Sequence, residues 1–264
     1  MYKINRAEFL QKLETVQPGL SPKEIVQQSS CLIFKGGRLT TFNDEVSCSI
    51  GVPEVRMLTG AIQAEPLLAL LRKMPEEVLD LKVQEADLLI TGKNRRASIR
   101  RQAEILLPID KLEQPKAWVK LPPDFGEAIS LVQECAGRDE SQFVLTCVHI
   151  HPKHVEACDN FQLARYELKT GLKQATLVKR DSIKHMTTLG MTEIAETETW
   201  IHFRNPMGLV LSCRRYAEAF PDLGKMLQME KGTKTNLPKG LIEACEKAEI
   251  FSAENVDENF VIDR

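Results

Sequence analysis

No stretch of this 264-residue chain comes near the roughly 18 consecutive apolar residues of a membrane span. Residues 1–13 mix charge with helical periodicity where a secretory leader would carry an apolar core. No membrane-spanning helix or signal peptide is expected, and the cytoplasm is the expected location. There is no Cys-x-x-Cys pair. The seven cysteines (Cys31, Cys48, Cys135, Cys147, Cys158, Cys213, Cys245) are odd in number and mostly set in apolar runs, which suits buried thiols in a reducing compartment rather than a disulfide framework. Phosphate loops, Gly-x-Ser-x-Gly elbows and a cysteine–histidine spacing that would single out a nucleophile are also missing, so no catalytic site is read. Excess charge of one sign is missing too: 35 Lys and Arg face 37 Asp and Glu, a net charge of −2, where a dedicated duplex binder carries a cationic surplus.

With 43% hydrophobic and 27% charged residues the chain has room for real cores in one large or two ordinary domains. The charges are unevenly placed. Cations gather at 93–101, 179–185 and 214–215, acids at 76–87 and 193–198, a pattern that fits a ring with a basic lining and an acidic exterior and equally fits ordinary solvated faces.

An internal repeat organises the chain. Residues 6–16 (Phe9, Leu10, Leu13, Val16), 123–136 (Phe125, Ile129, Val132, Ala136) and 238–248 (Leu241, Ile242, Cys245, Ala248) carry the apolar stripe of amphipathic helices. Each precedes a strand-like run, at 30–34, 143–150 and 260–262, with a spacing of roughly 115 residues. A second helix recurs at 65–74, where Pro66 suits the first turn, and at 180–189. Acidic links and further strands follow at 79–83, 88–90 and 97–99, and at 199–203 and 209–211, with turn signals at Gly92-Lys93-Asn94 and Asn205-Pro206-Met207-Gly208. Two helices and about eight short strands per repeat predict an α+β fold.

Two segments add a resemblance. Cys158-Asp159-Asn160-Phe161-Gln162-Leu163-Ala164 follows a strand, and Phe220-Pro221-Asp222-Leu223 comes after a strand and the pair Arg214-Arg215. Together they resemble the bacterial DNA polymerase sliding clamp, the DNA polymerase III beta subunit, whose middle domain carries a strand-then-turn "TDGHRLA" and a later "FPDY". The resemblance implies repeated DNA-clamp domains, each with two helices packed on antiparallel sheets: domain 1 at 1–117, domain 2 at 118–235 and an incomplete domain 3 at 236–264. A subunit of that family has three domains, and the strand-like 260–262 lacks sheet partners, so the chain is expected to be a fragment.

The function so implied is that of a DNA polymerase processivity factor without catalysis or cofactor. It would encircle double-stranded DNA without reading sequence, and dock the replicative polymerase, clamp loader and repair proteins through short linear motifs. The peptide pocket maps onto Leu145, Cys158, Asn160, Phe161, Gln162, Leu163, Pro221, Lys225 and Met226, an apolar cleft with an adaptable methionine. Asn160-Phe161-Gln162 stands where the family has Gly-His-Arg, and Lys225 where it has arginine. DNA-backbone contacts map onto Lys23, Arg72, Phe143 and Val144, with Lys12, Lys179, Arg180 and Lys184 as a diffuse positive field. The cationic 93–101 maps onto an edge strand that meets another subunit head to tail: Ala97 and Ile99 against Ile250 and Phe251, Arg95 and Arg96 against carboxylates such as Glu254 or Glu258. With a complete third domain this joint would close a homodimer. Cationic edge strands also keep monomers from aggregating.

Three other readings stay open. His149, His151, His154 and Cys158 are metal-type ligands that a metal-dependent enzyme could use, though their spacing matches no zinc pattern and no Asp or Glu is legible beside them as a base. A two-domain clamp closing as a trimer has this length, but leaves the helix at 238–248 without a repeat. A phage- or mobile-element-derived clamp with altered ligands would suit Asn160-Phe161-Gln162.

Overall fold

The computed structural model describes residues 1–24, 26–228, 233 and 235–253, with backbone alone for residues 225 and 250–253. It comprises two compact units, Met1–Pro221 and Asp222–Arg264.

The larger unit is a tandem repeat. Its first half runs β1 (Tyr2–Asn5), α1 (Arg6–Thr15), β2 (Cys31–Lys35), β3 (Arg38–Phe42), β4 (Val46–Gly51), β5 (Gly60–Gln63), α2 (Ala64–Lys73), β6 (Val78–Gln84), β7 (Asp87–Thr91) and β8 (Arg96–Gln102). Its second runs β9 (Val119–Lys120), α3 (Phe125–Val132), β10 (Cys147–His151), β11 (His154–Cys158), β12 (Leu163–Glu167), β13 (Thr176–Lys179), α4 (Arg180–Ile183), α5 (His185–Thr188), β14 (Glu193–Glu196), β15 (Trp200–Arg204) and β16 (Val210–Arg214). Both halves follow one plan: a strand, a helix, four strands, helical turns, three strands.

Spatial order repeats as well. The first half pairs in the order β1-β6-β7-β8-β5-β2-β3-β4; the second forms β9-β14-β15-β16 and a separate sheet in the order β13-β10-β11-β12. The halves differ at one seam. β5 and β8 form a ladder at Ala61↔Gln102 and Ile62↔Arg101, and Gly60 starts β5 at φ +129, where a Cβ would lie 2.4 Å from the Gln102 carbonyl oxygen. At the equivalent place in the second half a single bridge, Leu177↔Tyr216, spans the gap.

β4 and β16 join the halves in an antiparallel ladder from Val210↔Ser49 to Cys213↔Val46. Beside it Arg214 stacks over Trp200 at 4.8 Å and binds the Asp44 carboxylate at 2.6 Å, and Phe42 packs on Trp200 with ring centroids 5.9 Å apart. These rings form a small core with Cys31, Ile33, Ala61 and Leu107, so the connecting segment is itself part of the join.

The helices form where the apolar stripes lie. α1 buries Phe9 and Leu13 under an Asn5 cap whose side chain accepts from Glu8 N at 3.1 Å, α2 buries Leu67, Leu68 and Leu71, and α3 buries Phe125, Ile129 and Val132. Three expectations need correction. Residues 140–146 are 3-10 turns, so Phe143 and Val144 precede the strand instead of starting it. There the Asp139 carboxylate accepts from Ser141 N (2.9 Å) and Thr146 Oγ1 donates to the Phe143 carbonyl (2.7 Å), an alternative to ladder bonding. The helix read at 180–189 is two short ones broken at Lys184, where Thr187 and Thr188 hydroxyls donate to the carbonyls three residues back. The helix read at 123–136 is an α-helix only to Val132, with a 3-10 turn from Gln133 to Cys135.

The smaller unit carries α6 (Gly224–Leu227) and α7 (Leu241–Ala253), the latter opening after Gly240 at φ +87. Residues 241–249 of α7 are exposed, Ile242 at 77%. The strand expected at 260–262 lies outside the described residues.

His202 on β15 is buried, with Ser212 Oγ 2.8 Å from Nδ1 and Thr197 Oγ1 3.1 Å from Nε2. Burial, helped by Arg215 and opposed by Glu113, takes its imidazole down to about 4 from 6.5. The unfolded chain therefore binds a proton that the folded one refuses between those values, and stability falls as pH drops through that window. We expect a loss of about 3 kcal/mol between pH 7 and 4 from this group, read as urea midpoint against pH, and a shallower profile over that range for His202→Gln.

Candidate functional site

The turn between β11 and β12 presents the segment singled out in the sequence. The Asp159 carboxylate accepts from Phe161 N (2.7 Å) and Gln162 N (2.8 Å), which holds it below the usual carboxylate range, and Asp159 N closes the hairpin on the Gln162 carbonyl at 3.0 Å. Gln162 Nε2 braces the turn against the Glu134 carbonyl at 3.0 Å. So tied, the loop leaves Phe161 96% exposed.

Leu145, Asn160 and Phe161 come together in a hollow of about 150 Å³ that Gly137, Arg138 and Gln142 also line. Cys158 is buried at the end of β11 and Leu163 half-buried at the start of β12. Pro221 is exposed at the end of the larger unit. Lys225 and Met226 belong to the smaller unit, on α6, with Met226 69% exposed.

Of the residues expected at DNA, Lys23 is exposed in an extended loop. Arg72 is already engaged: it reaches from α2 to Glu14 of α1 at 2.8 Å. Phe143 is half-buried, edge-on to Tyr216 at 4.7 Å with the Lys179 ammonium 5.4 Å from its ring, and Val144 is half-buried beside it.

The four further cations expected to give a diffuse positive field each have an acidic neighbour. Lys12 meets Glu54 at 2.8 Å, Lys179 meets Glu140 at 3.4 Å and Glu45 at 3.5 Å, Arg180 meets Glu134 at 3.3 Å, and Lys184 meets Asp181 at 2.8 Å. Apart from Asp181, three positions from Lys184, these carboxylates are invisible in a linear reading because they sit 39 to 134 positions away. Lys179, Arg180, Lys184 and Arg138 nonetheless line one cleft of about 390 Å³ with Glu140 and Asp181.

On β8, Arg96 and Arg100 are exposed and Ala97 and Ile99 half-buried, while Arg95 is exposed in the preceding turn. β7 pairs with residues 96–100 and β5 with 101 and 102, so on the β5 side residues 96–100 have no ladder partner among the described residues. Of the expected counterparts, Ile250 and Phe251 are described by backbone alone, on α7, and Glu254 and Glu258 lie outside the described residues.

The histidine group also needs correcting: a carboxylate does stand beside it. Glu156 lies directly across from His149 in the β10–β11 register and across from Arg165 in the β11–β12 register. Its Oε1 is 2.7 Å from His149 Nδ1 and 3.3 Å from His154 Nε2, and Oε2 takes both Arg165 nitrogens, Nη2 at 2.6 Å and Nε at 2.7 Å. The signal was there in the hairpin: with Pro152-Lys153 at the turn, strand alternation puts His149, His151, His154 and Glu156 on one face. Burial pushes the Glu156 carboxyl up, but the hydrogen bonds from His149 and Arg165 and the charge of Arg165 outweigh it and bring it down to about 2.

No protein-family model matches the sequence, and no curated protein does either. The architecture, however, is that of the DNA polymerase sliding clamps. Among solved structures the chain is similar to the beta subunit of the Streptococcus pyogenes DNA polymerase (19% identity, TM-score 0.73, 97% of this chain and 75% of that one). It is similar also to the DNA polymerase III beta chain of Streptococcus pneumoniae (18%, TM-score 0.76, 96% and 74%). A third is the sliding clamp of Bartonella birtlesii solved with griselimycin bound (17%, TM-score 0.76, 86% and 68%).

Two outcomes follow. Asp159→Ala should speed amide exchange at Phe161 and Gln162, measured by NMR, while leaving the global unfolding midpoint in place. Glu156→Gln should lower the midpoint, because it leaves Arg165 as an uncompensated cation in a half-buried site, by about 3 kcal/mol, measured by urea unfolding at pH 7.

Proposed function

We propose that the chain is a DNA polymerase processivity factor of the sliding-clamp type, a non-catalytic cytoplasmic protein that works without a cofactor. The observation that carries this reading is the tandem clamp repeat joined edge to edge by β4 and β16. In such a ring each domain adds its sheet to the next, and the open edge of β8 is the surface left for another subunit. Domains at 1–117, 118–235 and 236–264 belong to this reading, as does a head-to-tail homodimer in which Arg95, Arg96, Ala97 and Ile99 meet the Ile250–Phe251 region.

Double-stranded DNA would be held through phosphates by the cleft around Arg138, Lys179, Arg180 and Lys184, with Lys23, Arg72, Phe143 and Val144 contributing. Such contacts carry no sequence information and suit a protein that slides. Replicative polymerase, clamp loader and repair proteins would insert short linear motifs at the hollow beside Phe161, with Leu145, Cys158, Asn160, Gln162, Leu163 and Pro221 as its expected surroundings. Phe161 offers an apolar anchor where an exposed ring otherwise has no folding role.

Binding of a hydrophobic linear-motif peptide from a replicative polymerase tests this reading by fluorescence anisotropy. Leu163→Asp and Phe161→Asp should each weaken it at least tenfold, a loss of about 1.4 kcal/mol, with unchanged thermal midpoints. Binding indifferent to both substitutions sinks the pocket assignment.

A further inference from the structure

We propose that His149, His154 and Glu156 form a binding site for one divalent transition-metal cation of the zinc class. The site sits on the β10–β11 hairpin, and its existence does not depend on the DNA-tether reading.

Three donor atoms converge there, all within 4.8 Å of one another. Around a tetrahedral zinc ion, nitrogen and oxygen ligands at their usual bond lengths stand about 3.3 Å apart. His154 Nε2 already lies 3.3 Å from Glu156 Oε1, and His149 Nδ1 at 2.7 Å needs to open by only a fraction of an ångström.

The supporting shell is in place without the ion. Arg165 grips Oε2 with two nitrogens, which fixes the carboxylate plane and leaves Oε1 as the ligand atom. The His149 ring is stacked on Phe220 (4.9 Å, 25°) and the His154 ring on His151 (4.3 Å, 21°), so both imidazoles are oriented by packing. His151 accepts the Lys153 amide at Nδ1 (3.2 Å), leaving Nε2 as its remaining nitrogen. The fourth coordination position falls to water. The side chains of His149 and His154 are 17% and 15% exposed, enough for an ion to enter from solvent.

The donor set selects the class of metal. Two imidazoles and one carboxylate suit zinc, nickel or cobalt, whereas magnesium and calcium want oxygen throughout. Arg165 already neutralises Glu156, so a hard cation finds no net charge to attract it, and only metals held by nitrogen lone pairs gain. Bound there, the ion would clamp β10 to β11 and, through the His149–Phe220 stack, the segment that closes the larger unit.

Equilibrium dialysis of the intact chain against zinc chloride, followed by elemental analysis, tests the proposal, with cobalt absorption reporting coordination. One equivalent of zinc should bind and raise the thermal midpoint, and cobalt should give the intense visible bands of a four-coordinate site. His154→Ala and His149→Phe, the latter keeping an aromatic ring against Phe220, should each weaken zinc binding by at least about 10-fold, the loss that follows even removal of an outer-shell partner. Cys245→Ser, at the exposed thiol, should change nothing. Should His154→Ala fail to fold without zinc, His154→Gln, which keeps a donor for Glu156, takes its place. Substoichiometric uptake, uptake that the histidine variants leave unchanged, or uptake abolished by Cys245→Ser each overturns the site.

Discussion

An antiparallel strand at the rim of a sheet presents a row of unpaired amides and carbonyls that must find a partner or be kept away from one. In the larger unit β4 and β16 meet this requirement for each other, and much else is arranged around their ladder. Arg214, Asp44, Trp200 and Phe42 pack beside it, the connecting segment folds into the same small core, and the two repeats share one sheet as a result. Because the halves have equivalent strand orders, the same ladder defines what the outer edges of β8 and β12 look like to a neighbour. The clamp architecture can thus be read as one join used repeatedly.

Charge follows a similar economy of pairing. Cations on α1, α2 and the α4–α5 turn hold carboxylates of their own, and Glu156 holds an arginine and two imidazoles. The near-neutral composition is thus matched by local pairing of opposite charges. β8 departs from this, with Arg96 and Arg100 in solvent along an unladdered edge.

Much of this was legible in the sequence, for reasons that are local. The stripes led by Phe9, Leu67 and Phe125 had to be helices because only that period buries them together, and the turn at 158–164 was reached through its resemblance to a known motif. What stayed hidden depends on tertiary proximity. Nothing in residues 46–51 and 210–214 says that they pair across more than 160 positions. Glu156 looks like any strand carboxylate until the hairpin register sets it against His149 and Arg165. The break at Lys184 and the 3-10 turns at 140–146 arise from threonine and aspartate side chains competing for backbone bonds, which hydrophobic period does not report.

The unequal seams of the two repeats have a mechanical meaning. Where β5 and β8 share a ladder the first repeat is one continuous shell, and bending it means breaking hydrogen bonds in sequence. In the second repeat two plates meet at the lone Leu177–Tyr216 bridge, so a load applied across the unit is taken up there as a small rotation. The half that carries the Phe161 loop thus has fewer backbone hydrogen bonds across its seam than the other.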